Sequence, residues 1–165
     1  MKKKIKEQKE LVEISRRGKI AGKKIIFTNG CFDLIHIGHI RYLEEAKKLG
    51  DILVVAINSD KSVRTIKGEK HPIISQNERA EILAALEMID YVTIFDELDP
   101  QNIISALLPN VLVKGGDWEK GSVIGGETIE ANGGKVVTIP VTRGASSSGI
   151  IRVILKRYTE DQGIR

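Results

Sequence analysis

Two histidines that flank a glycine, His36 and His39 around Gly38, form the pattern in this sequence that points most directly to chemistry. An imidazole can donate hydrogen bonds to phosphate oxygens and can stabilise charge that develops in a transition state. Residues three apart at the start of a helix project to one side, and a glycine lets the backbone approach a ligand. The pattern predicts a phosphate site, although an accidental or structural origin explains four residues equally well.

A second group of anion-binding side chains lies near the C-terminus. Ser146, Ser147 and Ser148 precede an apolar periodic segment, so their hydroxyl and N–H groups could form an anion site at a helix start. A plain helix cap would explain one of the three serines. Arg143 could add positive charge there, whereas Arg79 could either reach phosphates or be an exposed helical arginine.

A lysine followed by two glycines marks a third loop, Lys114-Gly115-Gly116-Asp117, which continues into Trp118. A lysine can hold a phosphate as a point charge, and a carboxylate can accept hydrogen bonds from sugar hydroxyls. The alternative is a glycine turn beside a packed tryptophan.

The elements that must position these loops alternate between short Val- and Ile-rich runs and longer amphipathic segments. This alternation predicts an α/β fold in which a Rossmann-like, doubly wound, five-stranded parallel sheet is flanked by helices. The predicted strands are Lys24 to Thr28, Ile52 to Asn58, Tyr91 to Phe95, Val111 to Val113 and Lys135 to Ile139. The predicted helices are Ile5 to Arg17, Ile40 to Leu49, Gln76 to Met88, Pro100 to Leu108, Ile124 to Ala131 and Ser147 to Tyr158. Ligands of such sheets bind beyond the carboxyl ends of the strands, which places the loop after the first strand at a phosphate.

Length and composition bound the class of protein. The 165 residues predict a single domain, with residues 1–18 as an N-terminal helical extension. No apolar run approaches the 18 residues of a membrane span, and no signal peptide is apparent, so we expect a cytoplasmic protein without a membrane partner. One cysteine, Cys31, excludes an internal disulfide. A net charge of +4 with only 4% aromatic residues gives little support for a nucleic-acid partner.

Taken together, these motifs resemble the cytidylyltransferase-like superfamily of HxGH nucleotidyltransferases, and most closely its heptose 1-phosphate adenylyltransferases of ADP-heptose synthesis. The resemblance extends over nearly the whole chain. It rests on these segments: Thr28 to Asp33, His36 to His39, Leu49 to Asp51, Asn58 to Asp60, Lys67-Gly68, Arg79, Leu86-Glu87, Leu112 to Trp118 and Gly133-Gly134.

The resemblance implies roles for particular residues. His36 and His39 would be catalytic. Nucleotide would be bound by Thr28, Asn29, Gly30, Cys31, Phe32, Gly38, Arg79, Arg143, Ser146, Ser147 and Ser148. The sugar phosphate would be bound by Asp33, Lys67, Lys114, Gly115, Gly116 and Asp117. ATP with Mg²⁺ and a sugar 1-phosphate would be the substrates, no dedicated protein metal site is expected, and the resemblance suggests a homodimer.

Two departures and two alternatives remain open. Gly126 stands where many members of the resembled family have a basic or polar residue. His71 stands where the family has an arginine, within Lys67-Gly68-Glu69-Lys70-His71-Pro72, so Lys70 or a protonated His71 would have to replace that arginine at a phosphate. The closest alternative enzyme is a cytidylyltransferase for glycerol phosphate or another alcohol phosphate. A non-catalytic nucleotide-binding or nucleic-acid-binding protein could reuse the same fold. Cys31 is interpreted as a packing residue and not as a nucleophile.

Overall fold

A five-stranded parallel sheet organises the chain in the computed structural model, which describes residues 2–116 and 122–159. The strands are β1 Ile25–Gly30, β2 Ile52–Asn58, β3 Tyr91–Phe95, β4 Val111–Gly115 and β5 Lys135–Ile139. The helices are α1 Gln8–Ile20, α2 Ile37–Lys47, α3 Asp60–Lys67, α4 Gln76–Ala85, α5 Gln101–Leu107, α6 Gly126–Ala131 and α7 Ser147–Thr159. A short 3₁₀ turn, Lys2–Lys4, precedes α1.

The strand order β3-β2-β1-β4-β5 places β1 at the centre of the sheet. The chain runs outward from β1 through β2 to β3, crosses back to β4 on the other side of β1, and then continues to β5. In β1, Thr28 is in register with Val55 of β2 and with Val113 of β4. The carboxyl end of β1 is therefore the point at which the strand order reverses, and such points hold ligands in doubly wound sheets.

Two apolar clusters cover the two faces of this sheet. Alternate residues of each strand point to opposite faces, so Ile26, Leu53 and Val55 join one cluster with α2 and α4. Phe27 and Val54 join the other with α1, α5 and α6. Burial of both faces explains why these strands are apolar at nearly every position.

The predicted fold class is confirmed, because all five strands occur in parallel pairs close to their predicted positions. The helix α3 was not predicted; it lies inside the stretch from Ser59 to Ser75 that lacks clear periodicity in the sequence. Ser59 caps α3 by accepting a hydrogen bond from the Ser62 N–H, which fixes where this helix begins. The N-terminal helix does not stand apart from the sheet, because its Leu11 is fully buried in the core.

In the part of the chain that the structure describes, no helix is both long and apolar enough to cross a membrane. Asp117 and Trp118 of the third loop lie outside the described residues. The single-domain organisation remains a prediction.

Candidate active site

A cavity of about 390 Å³ opens at the carboxyl ends of β1 and β4, next to the start of α7. Its size suits a small-molecule substrate. Most of the predicted site residues line it: Asn29, Gly30, Cys31, Phe32, Asp33, His36, Gly38, His39, Lys67, Gly115, Ser146, Ser147 and Ser148. The wall does not include Thr28, Arg79, Lys114, Gly116 or Arg143.

The two histidines form a stacked pair at the start of α2. Their ring centroids lie 3.8 Å apart with an interplanar angle of 18°, and Phe32 packs against His39 at 5.1 Å. Burial, the neighbouring His36 and the charge of Lys67 lower the pKa of His39 to about 4, and burial also lowers the pKa of His36. At neutral pH the pair is therefore uncharged, and it would act on phosphate oxygens as hydrogen-bond donors and not as cations.

Both histidines are incompletely satisfied. The Nδ1 atoms of His36 and His39 are buried and have no hydrogen-bond partner within the described part of the chain. Buried polar atoms without partners are uncommon in native proteins and concentrate at sites where a ligand or water completes them. Because both rings also line the cavity, the pair is a candidate place for a polar ligand.

Gly38 is required by the histidines themselves. A methyl group at this position would lie 3.0 Å from the ring of His36 and 3.1 Å from Cβ of Ala145. The space was expected to admit a ligand, but the imidazole of His36 and the methyl group of Ala145 lie next to it. Gly30 is similar, because its missing side chain leaves room for the Phe32 ring at 3.1 Å. Phe32 itself adopts a left-handed backbone with φ of 47°, an uncommon conformation for a non-glycine residue.

Lys114 lies beneath the cavity and not on its wall. Its ammonium donates to Oδ1 of Asn29, which does line the cavity. Burial lowers the pKa of Lys114 to about 8, so the charge is held in a place where an anionic ligand would stabilise it. The contact of Lys114 with a sugar phosphate remains a prediction.

Asp33 is engaged by the protein. Its carboxylate accepts hydrogen bonds from the N–H groups of Ile73 and Ile74 at 2.9 to 3.0 Å, and Nδ1 of His71 lies 3.2 Å from it. Burial alone would raise the pKa of Asp33, but these hydrogen bonds hold it below its usual value. Its predicted contact with the sugar phosphate is untested, and its partners give it a different task.

Arg79 is fully buried, so the alternative of an exposed helical arginine is wrong. Its guanidinium donates to the carbonyls of Ile74, Cys31 and Asn58 and forms a 2.8 Å ion pair with Asp60. These acceptors join the loop after β1 to the start of α3 and α4. The predicted contact of Arg79 with the nucleotide phosphates remains a prediction, because the described guanidinium bonds all go to the protein.

The three serines divide their tasks. Ser146 accepts a hydrogen bond from the Gly149 N–H at 3.0 Å, which is the capping role that the sequence left open for one of them. Ser147 donates to the Leu34 carbonyl at 3.0 Å and so joins α7 to the loop that carries the histidines. Ser148 lines the same cavity as those histidines. Arg143 is exposed, and its role stays a prediction.

Tyr42 is a cavity residue that the sequence analysis missed. It follows His39 by three positions, so helical spacing could have placed it on the same face. Its hydroxyl donates to the Val113 carbonyl at 3.1 Å and accepts from Thr28, whose oxygen lies 2.6 Å away. Burial raises the pKa of Tyr42 to about 12, so this phenol stays protonated and connects α2, β1 and β4 beneath the cavity. Thr28 is thus fully buried under the site.

Cys31 and the carboxylates limit the chemistry available. Burial raises the pKa of the Cys31 thiol despite the nearby charges of Lys67 and Arg79, which supports a packing role. Among the described residues, no group of three His, Cys, Asp or Glu side chains could hold a metal ion. Asp33 lines the cavity, but its carboxylate already contacts three nitrogen groups of the protein. The described residues therefore do not form a protein cage for Mg²⁺.

Comparisons with known proteins agree with this geometry. The chain is 51% identical over 158 residues to the bifunctional protein HldE of Geobacter sulfurreducens, and 53% identical over 155 residues to that of Citrifermentans bemidjiense. These matches cover 96% and 94% of this chain but 32% of each relative, so the chain spans about a third of their length.

Two solved structures share the fold. The lipopolysaccharide core biosynthesis protein of Thermoplasma volcanium superposes with a TM-score of 0.61 at 29% identity, covering 75% of this chain and 100% of that one. The pantoate-beta-alanine ligase of Francisella tularensis, solved with an ATP analogue and beta-alanine, superposes with a TM-score of 0.60 at 17% identity, covering 95% and 79%. The sequence profile of the cytidylyltransferase-like family matches residues 27–153, which contain the histidine pair, the lysine loop and the serines. The chain therefore belongs to the cytidylyltransferase-like family of nucleotidyltransferases, as its motifs predicted.

Proposed function

We propose that this chain transfers AMP from ATP to a sugar 1-phosphate, D-glycero-D-manno-heptose 1-phosphate, and releases pyrophosphate and ADP-heptose for lipopolysaccharide core or a related glycan. The observation that carries the proposal is a cavity whose wall contains both the stacked histidines and the three serines. The HldE relatives and the lipopolysaccharide core biosynthesis protein support a sugar acceptor.

The reaction would be a direct in-line displacement at the α-phosphorus. A phosphate oxygen of the sugar 1-phosphate forms the new P–O bond, the bond between the α-phosphorus and the β-bridging oxygen breaks, and pyrophosphate leaves with that electron pair. The attacking phosphate is already anionic near neutral pH, so no general base is needed. Catalysis would consist of positioning and charge stabilisation.

His36 and His39 would donate hydrogen bonds to the α- and β-phosphates. Because burial lowers the pKa of both imidazoles, each carries one N–H at neutral pH, and both rings line the cavity. Ser147 and Ser148, at the start of a helix with no acidic residue in its first turn, would receive the leaving pyrophosphate.

The acceptor would enter on the side of Lys67 and Lys114. Lys67 ends α3 and lines the cavity, whereas Lys114 would act from beneath through the Asn29 amide or after a side-chain rotation. Mg²⁺ belongs to the substrate as the ion that accompanies the triphosphate, mostly through phosphate oxygens and water. The proposed protein is a homodimer and has no nucleic-acid partner.

A substrate matrix tests this function. ATP, CTP and GTP are each offered with heptose 1-phosphates of both anomers, glycerol 3-phosphate and other alcohol phosphates, and pyrophosphate release is measured. We expect turnover with ATP and a heptose 1-phosphate. Preference for CTP with glycerol 3-phosphate would replace the proposal by the alternative enzyme, and nucleotide binding without turnover of any pair would favour the non-catalytic alternative.

A further inference from the structure

We propose that Asp33 is a positioning residue that clamps residues 68–74, here called the 68–74 loop, onto the segment that follows β1, and that His71 completes the clamp. Its function would be to fix the acceptor side of the cavity without touching the acceptor. The proposal deepens the function proposed above, on which its kinetic part rests.

The clamp is visible as a set of contacts that converge on one carboxylate. Oδ1 of Asp33 accepts from the N–H groups of Ile73 and Ile74 at 2.9 and 3.0 Å, and Oδ2 lies 3.0 Å from the Ile73 nitrogen and 3.2 Å from Nδ1 of His71. Four contacts occupy most of the acceptor capacity of a carboxylate. Only 4% of Asp33 is exposed, so little of it remains available to a sugar hydroxyl.

The 68–74 loop has few other attachments. Gly68, Glu69 and Lys70 are exposed, and a side chain on Gly68 would meet open space. The His71 N–H bonds within the loop, to the Gly68 carbonyl at 3.0 Å, and the far end of the loop is bonded through the Ile74 carbonyl to Arg79. Between its two ends, the loop is joined by hydrogen bonds to Asp33, which lies in the segment between β1 and the histidines of α2.

The loop begins directly after Lys67, the cationic end of α3 that lines the cavity. Loosening of the loop would therefore let the α3 terminus and its charge move away from the cavity. A contact that holds Lys67 in place before binding reduces the conformational entropy that the protein would otherwise lose when a ligand binds.

The same contacts account for the histidine that replaces the arginine of the resembled family. Nδ1 of His71 faces Asp33, so this nitrogen is not available to a phosphate. An ionised carboxylate can only accept, so Nδ1 of His71 must carry the proton. His71 is therefore a short donor held against Asp33, whereas the longer side chain of an arginine at this position could extend further.

The test compares Asp33→Asn, His71→Ala, His71→Asn and the double variant Asp33→Asn with His71→Ala. Asp33→Asn removes the charge and replaces one oxygen by an NH₂ group, which cannot accept a hydrogen bond from the N–H groups that face it. His71→Asn keeps an N–H at nearly the place of Nδ1. Glu69→Ala, on the same loop but exposed, is the matched control. Amide hydrogen exchange by mass spectrometry, without substrates, reports loop opening. KM for the acceptor, KM for ATP and kcat report its effect.

We expect Asp33→Asn and His71→Ala to accelerate exchange in the 68–74 loop by about 10-fold, the loss of one charge-assisted hydrogen bond, while the strands keep their protection. KM for the acceptor should rise by a similar factor, with KM for ATP nearly unchanged. His71→Asn should restore most of both properties. Because the residues share one interaction, the double variant should be little worse than Asp33→Asn alone.

Direct contact between Asp33 and the sugar would give a different result. In that case Asp33→Asn would raise KM for the acceptor without faster exchange in the loop, His71→Ala would have no effect, and the clamp would be overturned. Equal effects of Glu69→Ala would also overturn it. Should the wild-type protein turn over no acceptor, the proposed function fails, yet the exchange measurements still decide whether the clamp exists.

Discussion

Replacement of Arg79 by methionine separates two roles for this residue, support of the site and direct contact with the nucleotide. The guanidinium is fully buried and its four described hydrogen bonds go to three carbonyls and the Asp60 carboxylate. Methionine keeps the aliphatic stem of arginine but has no donor, so the buried carbonyl of Asn58 and its neighbours would lose their partner. We therefore expect Arg79→Met to act first on stability.

The expected magnitude follows from the partners. A hydrogen bond to a charged group contributes about 1.5 to 3 kcal/mol, and breaking a buried ion pair by removing one partner costs about 3 to 5 kcal/mol. Simple addition over four bonds would exceed that range, but the side chain of Asp60 is 25% exposed and can be rehydrated. We expect the free energy of unfolding to fall by about 3 to 5 kcal/mol, and Tm by about 6 to 20 °C for a chain of this size.

Urea unfolding followed by circular dichroism measures the first quantity, and a thermal melt measures the second. Arg64→Met, at an exposed position on α3, is the matched control and should change stability by less than about 0.5 kcal/mol. ATP affinity is measured below the melting temperature of the variant. Wild-type stability together with a large loss of ATP affinity would refute the structural role and favour direct contact with the phosphates.

Three further changes test the site itself. His39→Ala should lower kcat about 100- to 1000-fold, as removal of one preorganised donor does, while a thermal melt shows little change in Tm; near wild-type turnover would contradict the assignment. Because the folded-state pKa of Lys114 is lowered to about 8 from 10.5, acceptor affinity should fall about tenfold per pH unit above pH 8. Between pH 8 and 10.5 Lys114 is protonated in the unfolded chain but mostly neutral in the folded one, so the free energy of unfolding should rise with pH. Lys114→Met should remove both the pH dependence of KM for the acceptor and the pH dependence of stability in urea unfolding. Gly38→Ala, which would push a methyl against the His36 ring, should lower kcat while leaving the secondary structure seen by circular dichroism intact, and wild-type kcat would show that the ring has room to move.

Most of the architecture could be predicted from the sequence because its strands are covered on both faces. Such strands must be apolar at nearly every position, and a short run rich in Val and Ile, such as Ile52 to Ile57, is typical of them. The helix α3 could not be predicted in this way. It is short and polar with a single buried apolar residue, Val63, and a serine cap defines its start more than any periodicity does.

The location of the cavity was predictable for the same topological reason, since parallel strands bring their carboxyl ends to one edge. What individual side chains do there was less predictable. Asp33 and Arg79 have the residue types of substrate contacts, but both are satisfied by backbone groups from segments distant in the chain. Tyr42 was missed because a tyrosine on a helix is most simply interpreted as a packing residue. The role of its hydroxyl follows only from the structure, in which it bonds to Thr28 and Val113.

The reversal of strand order at β1 divides the cavity between two parts of the chain. The histidine loop and α4 come before the exposed Leu98, whereas β4 and the serines of α7 come after it, and the hydrogen bond from Ser147 to the Leu34 carbonyl connects the two parts. Neither fragment of a chain cut near Leu98 would contain a complete cavity. Recovery of turnover on mixing would then require β4 to pair with β1, so the enzyme offers a basis for a complementation reporter whose signal depends on docking of one sheet half onto the other.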